Sequence, residues 1–226
     1  MMTVKGRLRE IAIFGAGGFG MEVAMLVEHI NAAEPTWDLI GFFDDGEPKA
    51  KVVNSYSILG GITELNEWKK DLALVLALGL PKTKKHVLEK IKNSRISCPV
   101  LIHPSVITGK RDYLNIGEGT IICAGTILTT IIKMGKHVLL NLSCTVGHQT
   151  EIGDFCSFMP TCNISGEVSI GESNFWGTGA KVINRKRVGN NVTVGAGAVI
   201  VDDIPSDVVV AGVPAKIIRK LEGQDT

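Results

Sequence analysis

The chain has 226 residues, 45% of them hydrophobic and 21% charged, with a net charge of +1. That length allows one large domain or two small ones. No basic block suggests nucleic acid, no apolar run approaches the ~20 residues of a membrane span, and no secretory signal follows the first basic residues. Five cysteines without a CxxC fit reduced thiols in a cytoplasmic protein.

Residues Arg9 to Ile30 read as strand, glycine turn and helix: IAIF, then GAGGFG, then MEVAMLVEHI with helical periodicity. Gly15, Gly17 and Gly20 fit the G-x-G-x-x-G spacing, in which a bare backbone lets a phosphate approach a helix N-terminus. Trp37 to Phe43 reads as a second strand ending in Asp44-Asp45, where an acidic residue would meet a ribose or base. The competing reading makes Asp44 and Asp45 a turn with Gly46. Ile62 to Lys69 reads as a short helix, Leu72 to Leu78 as a buried strand ending at Gly79, Pro81 to Asn93 as a helix, and Val100 to His103 as a last strand. Residues 1–103 thus form an α/β half-Rossmann domain, which suits a nucleotide better than a dinucleotide because the second mononucleotide half is missing.

Residues 104–226 follow a different rule. From Ile116, every sixth residue to Ile200 is large and apolar: Ile122, Leu128, Met134 and so on without a miss. Fifteen hits in fifteen have a chance on the order of one in thirty thousand if half of all residues are apolar. A period of six fits neither helix nor simple strand and marks a parallel β-helix. Gly117, Gly135, Gly153, Gly171 and Gly189 recur every eighteen residues, so three hexads make one coil of a triangular prism, with glycine at one tight place on successive coils. Four residues after each large one, a second inward column holds small or β-branched side chains, among them Thr120, Val138, Cys144, Cys156, Cys162 and Ala198. The three cysteines are therefore packing residues and not metal ligands. Lys186 breaks that column, and the hexad VINRKR is expected to bulge or turn outward. A hinge is expected around His103 to Asn115, where the six-count fails, and a short helix from Ala215 to Leu221 is expected to cap the far end.

The hexads, the GVPAK end (Gly212 to Lys216) and the GAGGFG unit together resemble the sialic-acid O-acetyltransferase-like sugar O- and N-acyltransferases, which include the bacterial nucleotide-amino-sugar N-acetyltransferases. The resemblance covers essentially the whole chain. It implies a left-handed parallel β-helix, a homotrimer with active sites between subunits, acetyl-CoA as donor, and a nucleotide-linked sugar held by the N-terminal domain, in polysaccharide biosynthesis. It places the catalytic histidine at His148 in NLSCTVGHQTEIGDF, with Asn141 near the acceptor. Gly15, Gly17, Gly18, Asp44, Asp45 and Gly79 match the nucleotide-sugar site. Gly166, Thr178 and Ala196 match positions along the pantetheine arm, and Lys216 lies in the cap motif near the cofactor. The family usually has Asp or Glu after the histidine; here Gln149 can orient the ring but brings no charge. Where the glycine turn often carries His or Ser, this chain has Phe19.

Acetyl transfer from a thioester needs a deprotonated acceptor, an aligned electrophile and donors for the oxyanion. His148, just past Val146-Gly147, stands at a corner of the rod where a side chain can leave the wall, and the backbone N–H of Gly166 on the facing coil is the oxyanion donor to seek. No residue is an evident covalent nucleophile, which favours direct transfer. His103 and His137 read as structural or surface residues, and His29 and His86 as solvated. Three other functions compete with N-acetylation. Sugar O-acetylation differs only in the acceptor atom. A β-helical metalloenzyme would need about three histidine ligands, usually with a close pair, and His137 and His148 are eleven apart. A nucleotide-sugar-sensing relative without activity is kept open by Gln149.

Overall fold

A computed structural model describes residues 8–221. The chain folds as two compact units, one running to Leu78 and including His86–Pro99, the other comprising Gly79–Lys85 and the chain from Val100 onward. Among the described residues no helix is long and apolar enough to cross a membrane.

The first unit contains β1 (Arg9–Phe14), α1 (Gly18–Ala33), β2 (Trp37–Phe43), β3 (Val52–Val53), β4 (Tyr56–Gly60), α2 (Ile62–Asn66), β5 (Leu72–Leu76), the later turns of α3 (Pro81–Lys90) and β6 (Ile96–Ser97). Its sheet has the order β3-β4-β2-β1-β5-β6, parallel except for the β3–β4 pair. Strand β5 is buried along its whole length, as a parallel strand covered on both faces must be. Phe14, Phe43, Leu65, Leu74 and Val87 meet in the core. One element is new here and one expectation changes. The β3–β4 hairpin has no Asn-Gly signal in the sequence; its turn is made by Asn54 and Ser55, both at positive φ (48° and 69°), the twist that a two-residue hairpin needs. The last strand of this sheet is Ile96–Ser97 on β5, not Val100–His103: Leu101–Ile102 instead pairs with Ile121–Ile122 and begins the rod.

The rod is a parallel β-helix of two- to four-residue strands in three sheets. From Ile116 to Ile200 each ladder steps by eighteen residues. The first sheet stacks Ile122, Leu140, Phe158, Trp176 and Val194, the second Leu128, Val146, Ile164, Val182 and Ile200, the third Ile116, Met134, Ile152, Ile170 and Val188. All of these are buried except Ile116, which is half-buried in the first full coil. The small column is buried too, and Asn174 belongs to it, donating to the Gly171 and Gly189 carbonyls.

Each hexad turns on a left-handed residue. From Gly119 to Gly197, every sixth residue has φ between 53° and 73°, although most are not glycine: His137, Ser143, Gln149, Phe155 and even Ile131. The eighteen-residue glycines are not these positions. A Cβ at Gly153 would stand 2.6 to 2.9 Å from the backbone of Gly171 and Glu172, so this column exists because successive coils touch there. The VINRKR hexad does not bulge: Arg187–Val188 pairs with Ser169–Ile170 and the Lys186 carbonyl accepts from Ser169, leaving the long side chain half-buried in an ordinary turn. The broken count near the start is a 3-10 turn, Arg111–Tyr113, inserted between Ile107–Thr108 and Leu114–Ile116. The far end closes with a hairpin, not a helix. Lys216–Lys220 runs antiparallel to Val208–Ala211 and extends the first sheet, because alternate residues of KIIRK satisfy an open ladder.

Candidate active site

The prism has three edges, one after each sheet. His148 and Gln149 stand on the second edge, both exposed. The His148 Nδ1 lies 3.2 Å from the Gln149 Oε1. An amide oxygen only accepts, so Nδ1 carries the proton and Nε2 offers its lone pair. One coil further, Gly166 lies flat beneath the ring: a Cβ there would come within 2.5 Å of Nε2, 2.7 Å of Cε1 and 2.8 Å of Cδ2. Gly166 is itself buried, and a Cβ on Gly147 would collide with its backbone nitrogen. Glu167 N–H donates to the His148 carbonyl at 2.7 Å. Two glycines and one amide therefore hold the imidazole in a fixed pose with one nitrogen presented. The left-handed Gln149 (φ 56°) is what turns its side chain back to the ring.

Asn141 belongs to the same coil but to the first edge. It is buried, its N–H bonds Phe158 and its Oδ1 accepts from Leu142 N–H at 2.6 Å. Thr178 and Ala196 share that edge at eighteen-residue steps, both exposed. Lys216 opens the final hairpin strand and pairs with Asp202 at 3.6 Å, both largely in water. The residues singled out from the rod thus fall into two groups: His148, Gln149 and Gly166 on one edge, Asn141, Thr178 and Ala196 on another. His137 lies on the third, so the two rod histidines do not gather.

In the first unit, Gly15 (φ 106°) must be glycine, since a Cβ would also press on the Ala77 carbonyl at 2.9 Å. Gly17 caps α1 and, like Gly18, faces open space. Gly20 packs against the Gly15 carbonyl, where no side chain fits. Asp44 bridges the turn: Oδ2 accepts from Ala16 N–H and Oδ1 from Gly46 N–H, both at 2.8 Å. Asp45 accepts from Ile62 N–H at the start of α2. Both carboxylates have turn-making partners, and Asp44 also fixes the glycine loop. Gly79, in the second unit, has nothing within 4 Å of the position a Cβ would take.

Sequence reasoning missed a cluster on the third edge. Lys84 is 2% exposed and donates to the carbonyls of His137 (2.6 Å) and Cys156 (3.2 Å). Burial lowers it to about 7. His137, 3% exposed, stacks on Phe155 at 5.3 Å, and burial, then the Lys84 charge, holds it below its ordinary range. A lysine in the sequence KTKK on a polar helix gives no sign of this.

The comparisons agree with this architecture. The PglD N-terminal domain family matches residues 10–91. The acetyltransferase domain of PglB from Neisseria gonorrhoeae, solved with acetyl coenzyme A, is 31% identical with a TM-score of 0.83, covering 94% of this chain and 100% of that one. PerB from Caulobacter crescentus, solved with CoA and GDP-perosamine, is 27% identical with a TM-score of 0.80, covering 94% and 99%. The GDP-perosamine N-acetyltransferase of Escherichia coli O157:H7 is 27% identical over 214 residues, 92% of this chain and 96% of that one. A Rossmann-like sheet followed by a left-handed parallel β-helix defines an acetyltransferase of the hexapeptide class. The chain belongs to the bacterial sugar N-acetyltransferase family.

Proposed function

We propose that the protein transfers acetyl from acetyl-CoA to the amine of a nucleotide-linked sugar, in one step within a ternary complex. The observation that carries this reading is the whole-length likeness to a protein solved with CoA and a nucleotide-linked amino sugar together, joined to an exposed imidazole held with Nε2 free to accept. His148 takes the proton as the amine attacks the thioester carbonyl; the N–C bond forms, the C–S bond breaks, and the proton leaves on the thiol of CoA. Gln149 orients the ring. The Gly166 N–H is the donor for the oxyanion, and Asn141 is assigned to the acceptor. Gly15, Gly17, Gly18, Asp44, Asp45 and Gly79 are assigned to the nucleotide sugar, Thr178, Ala196 and Lys216 with Gly166 to the donor arm. The N-terminal sheet unit serves as the nucleotide-sugar domain and the rod as the acetyltransferase domain.

The active form in this reading is a homotrimer with sites between subunits. His148 and Gly166 lie on one edge of the prism and Asn141, Thr178 and Ala196 on another, so a site holding both groups draws them from two copies. The second face and edge also present Ile107, Ile127, Ile131 and Ile183 to solvent, an apolar strip suited to self-association. Five cysteines without a CxxC pair fit the reducing cytoplasm. Thiol release from acetyl-CoA against nucleotide-linked 3- and 4-amino sugars, free amino sugars and sialic acid tests the reading. Release with one nucleotide amino sugar, lost in His148→Ala, is expected. Release with sialic acid alone overturns the acceptor assignment, and acetyl-CoA binding without turnover on any sugar favours a sensing role.

A further inference from the structure

The mechanism makes no use of the one lysine, arginine or carboxylate side chain that is buried among the described residues. Lys84 lies in the segment Gly79–Lys85, which packs with the rod. Its Nζ is enclosed with no carboxylate partner and bonds two carbonyls from successive coils, those of His137 and Cys156. The His137 carbonyl belongs to a left-handed corner residue, one place beyond the Lys136 carbonyl that takes the Phe155 N–H of the next coil. Buried and unpaired it would be costly, and the lysine supplies its donor. One residue on, Lys85 sits 5.2 Å above the Phe155 ring and 3.5 Å from Glu172, a coil further along. The segment is thus tied to the rod across three coils, and Lys84 is the only one of these ties removed from water.

We propose that Lys84 is a positioning residue for the acceptor: it pins the segment Gly79–Lys85 to the third edge of the rod, and the pin weakens as the solution is acidified from weakly alkaline to neutral pH. The part concerning the acceptor rests on the reading that Gly79 lines the nucleotide-sugar site. The direction in pH follows from linkage. Pinned, Lys84 has a value of about 7; released into water it returns to the ordinary 10.5. Release therefore takes up a proton between those values, and the released fraction rises about tenfold per unit fall in pH there, levelling below 7. The neighbouring groups titrate elsewhere. His137, held low amid Glu118, Lys136 and Asp154, takes up a proton on exposure only below its ordinary 6.5. Cys156, pushed up to about 12 by burial, loses one on exposure only above its ordinary 9.0. Between pH 7 and 9 the signature belongs to Lys84.

The test is amide hydrogen exchange of the full-length protein from pH 7 to 9, corrected for intrinsic rates, on peptides covering residues 79–85. Opening in the wild type should grow close to tenfold per unit fall in pH, and Lys84→Met should abolish that slope. With GDP-perosamine and acetyl-CoA as substrates, Lys84→Met should raise KM for the sugar several-fold and leave KM for acetyl-CoA within about twofold. A flat wild-type profile, or the same slope in both proteins, overturns the pin. The wild-type slope decides alone if the variant does not fold. A slope in the exchange data combined with an unchanged sugar KM in Gly79→Val supports the pin and overturns only the assignment of Gly79 to the acceptor.

Discussion

His137 and His148 occupy two turns of a single coil, and everything around them differs. His148 stands two residues past an inward stop, on an edge left open, with its ring laid over a glycine and one nitrogen held by an amide. His137 stands three residues past a stop, in the left-handed position, beneath a covering segment and stacked on Phe155. A Cβ at Gly119 would collide with the His137 ring just as one at Gly166 would with His148. The same device, a glycine one coil away, makes room for an imidazole in both places. Whether the ring then works or packs depends on what covers the edge.

Substitutions can break that contrast. The largest effect should come from His148→Ala, which should lower kcat by roughly 10² to 10⁴ and leave Tm within a degree or so, because the ring is exposed; thiol-release kinetics beside a thermal melt check both. Gly166→Ala should cost up to about 10² in kcat by displacing the ring, with no further loss in a His148→Ala background. Equal losses in both backgrounds would place Gly166 with the donor arm alone. His137→Ala should do the opposite, costing about 2–3 kcal/mol of stability by urea unfolding with kcat per folded molecule unchanged. The His137 value is depressed in the fold, so the unfolded chain binds its proton first. Its stabilisation is complete above the ordinary 6.5 and is lost as pH falls through the lowered value. The urea midpoint should therefore drop on acidification, less steeply in the variant. The smallest effect is Gln149→Glu, where an added charge favours the imidazolium and should move the acid limb of the pH–rate profile to higher pH.

The inward columns were legible because each inward position must satisfy the same buried environment on every coil, and repetition multiplies a weak signal. The edges were legible only in part. The reason for the glycine column, contact between coils and not backbone freedom, depends on which atoms face along the axis, and spacing does not report that. Lys84 was invisible because a helix face of lysines and threonine is polar by any periodic measure, and only the segment packed beneath it decides its fate. The closing hairpin was misread for a related reason. KIIRK is short enough to suit helix or strand, and the open end of a ladder chose strand. Leu101 reads as part of the N-terminal sheet because the count of six fails across Arg111–Tyr113, which hides the rod's first strand from a periodic reading.

A stack of identical coils also divides length into equal steps. Past His148, the second ladder runs Val146, Ile164, Val182, Ile200, three steps toward the closing hairpin. At the spacing of neighbouring strands, about 4.8 Å, that is roughly 14 Å of straight wall. The gene therefore carries a ruler graded in units of eighteen codons. Adding or deleting one unit beyond the base would lengthen or shorten the track available to a slender donor without altering the chemistry at its end, a way for such proteins to change the reach of a site while keeping its reaction.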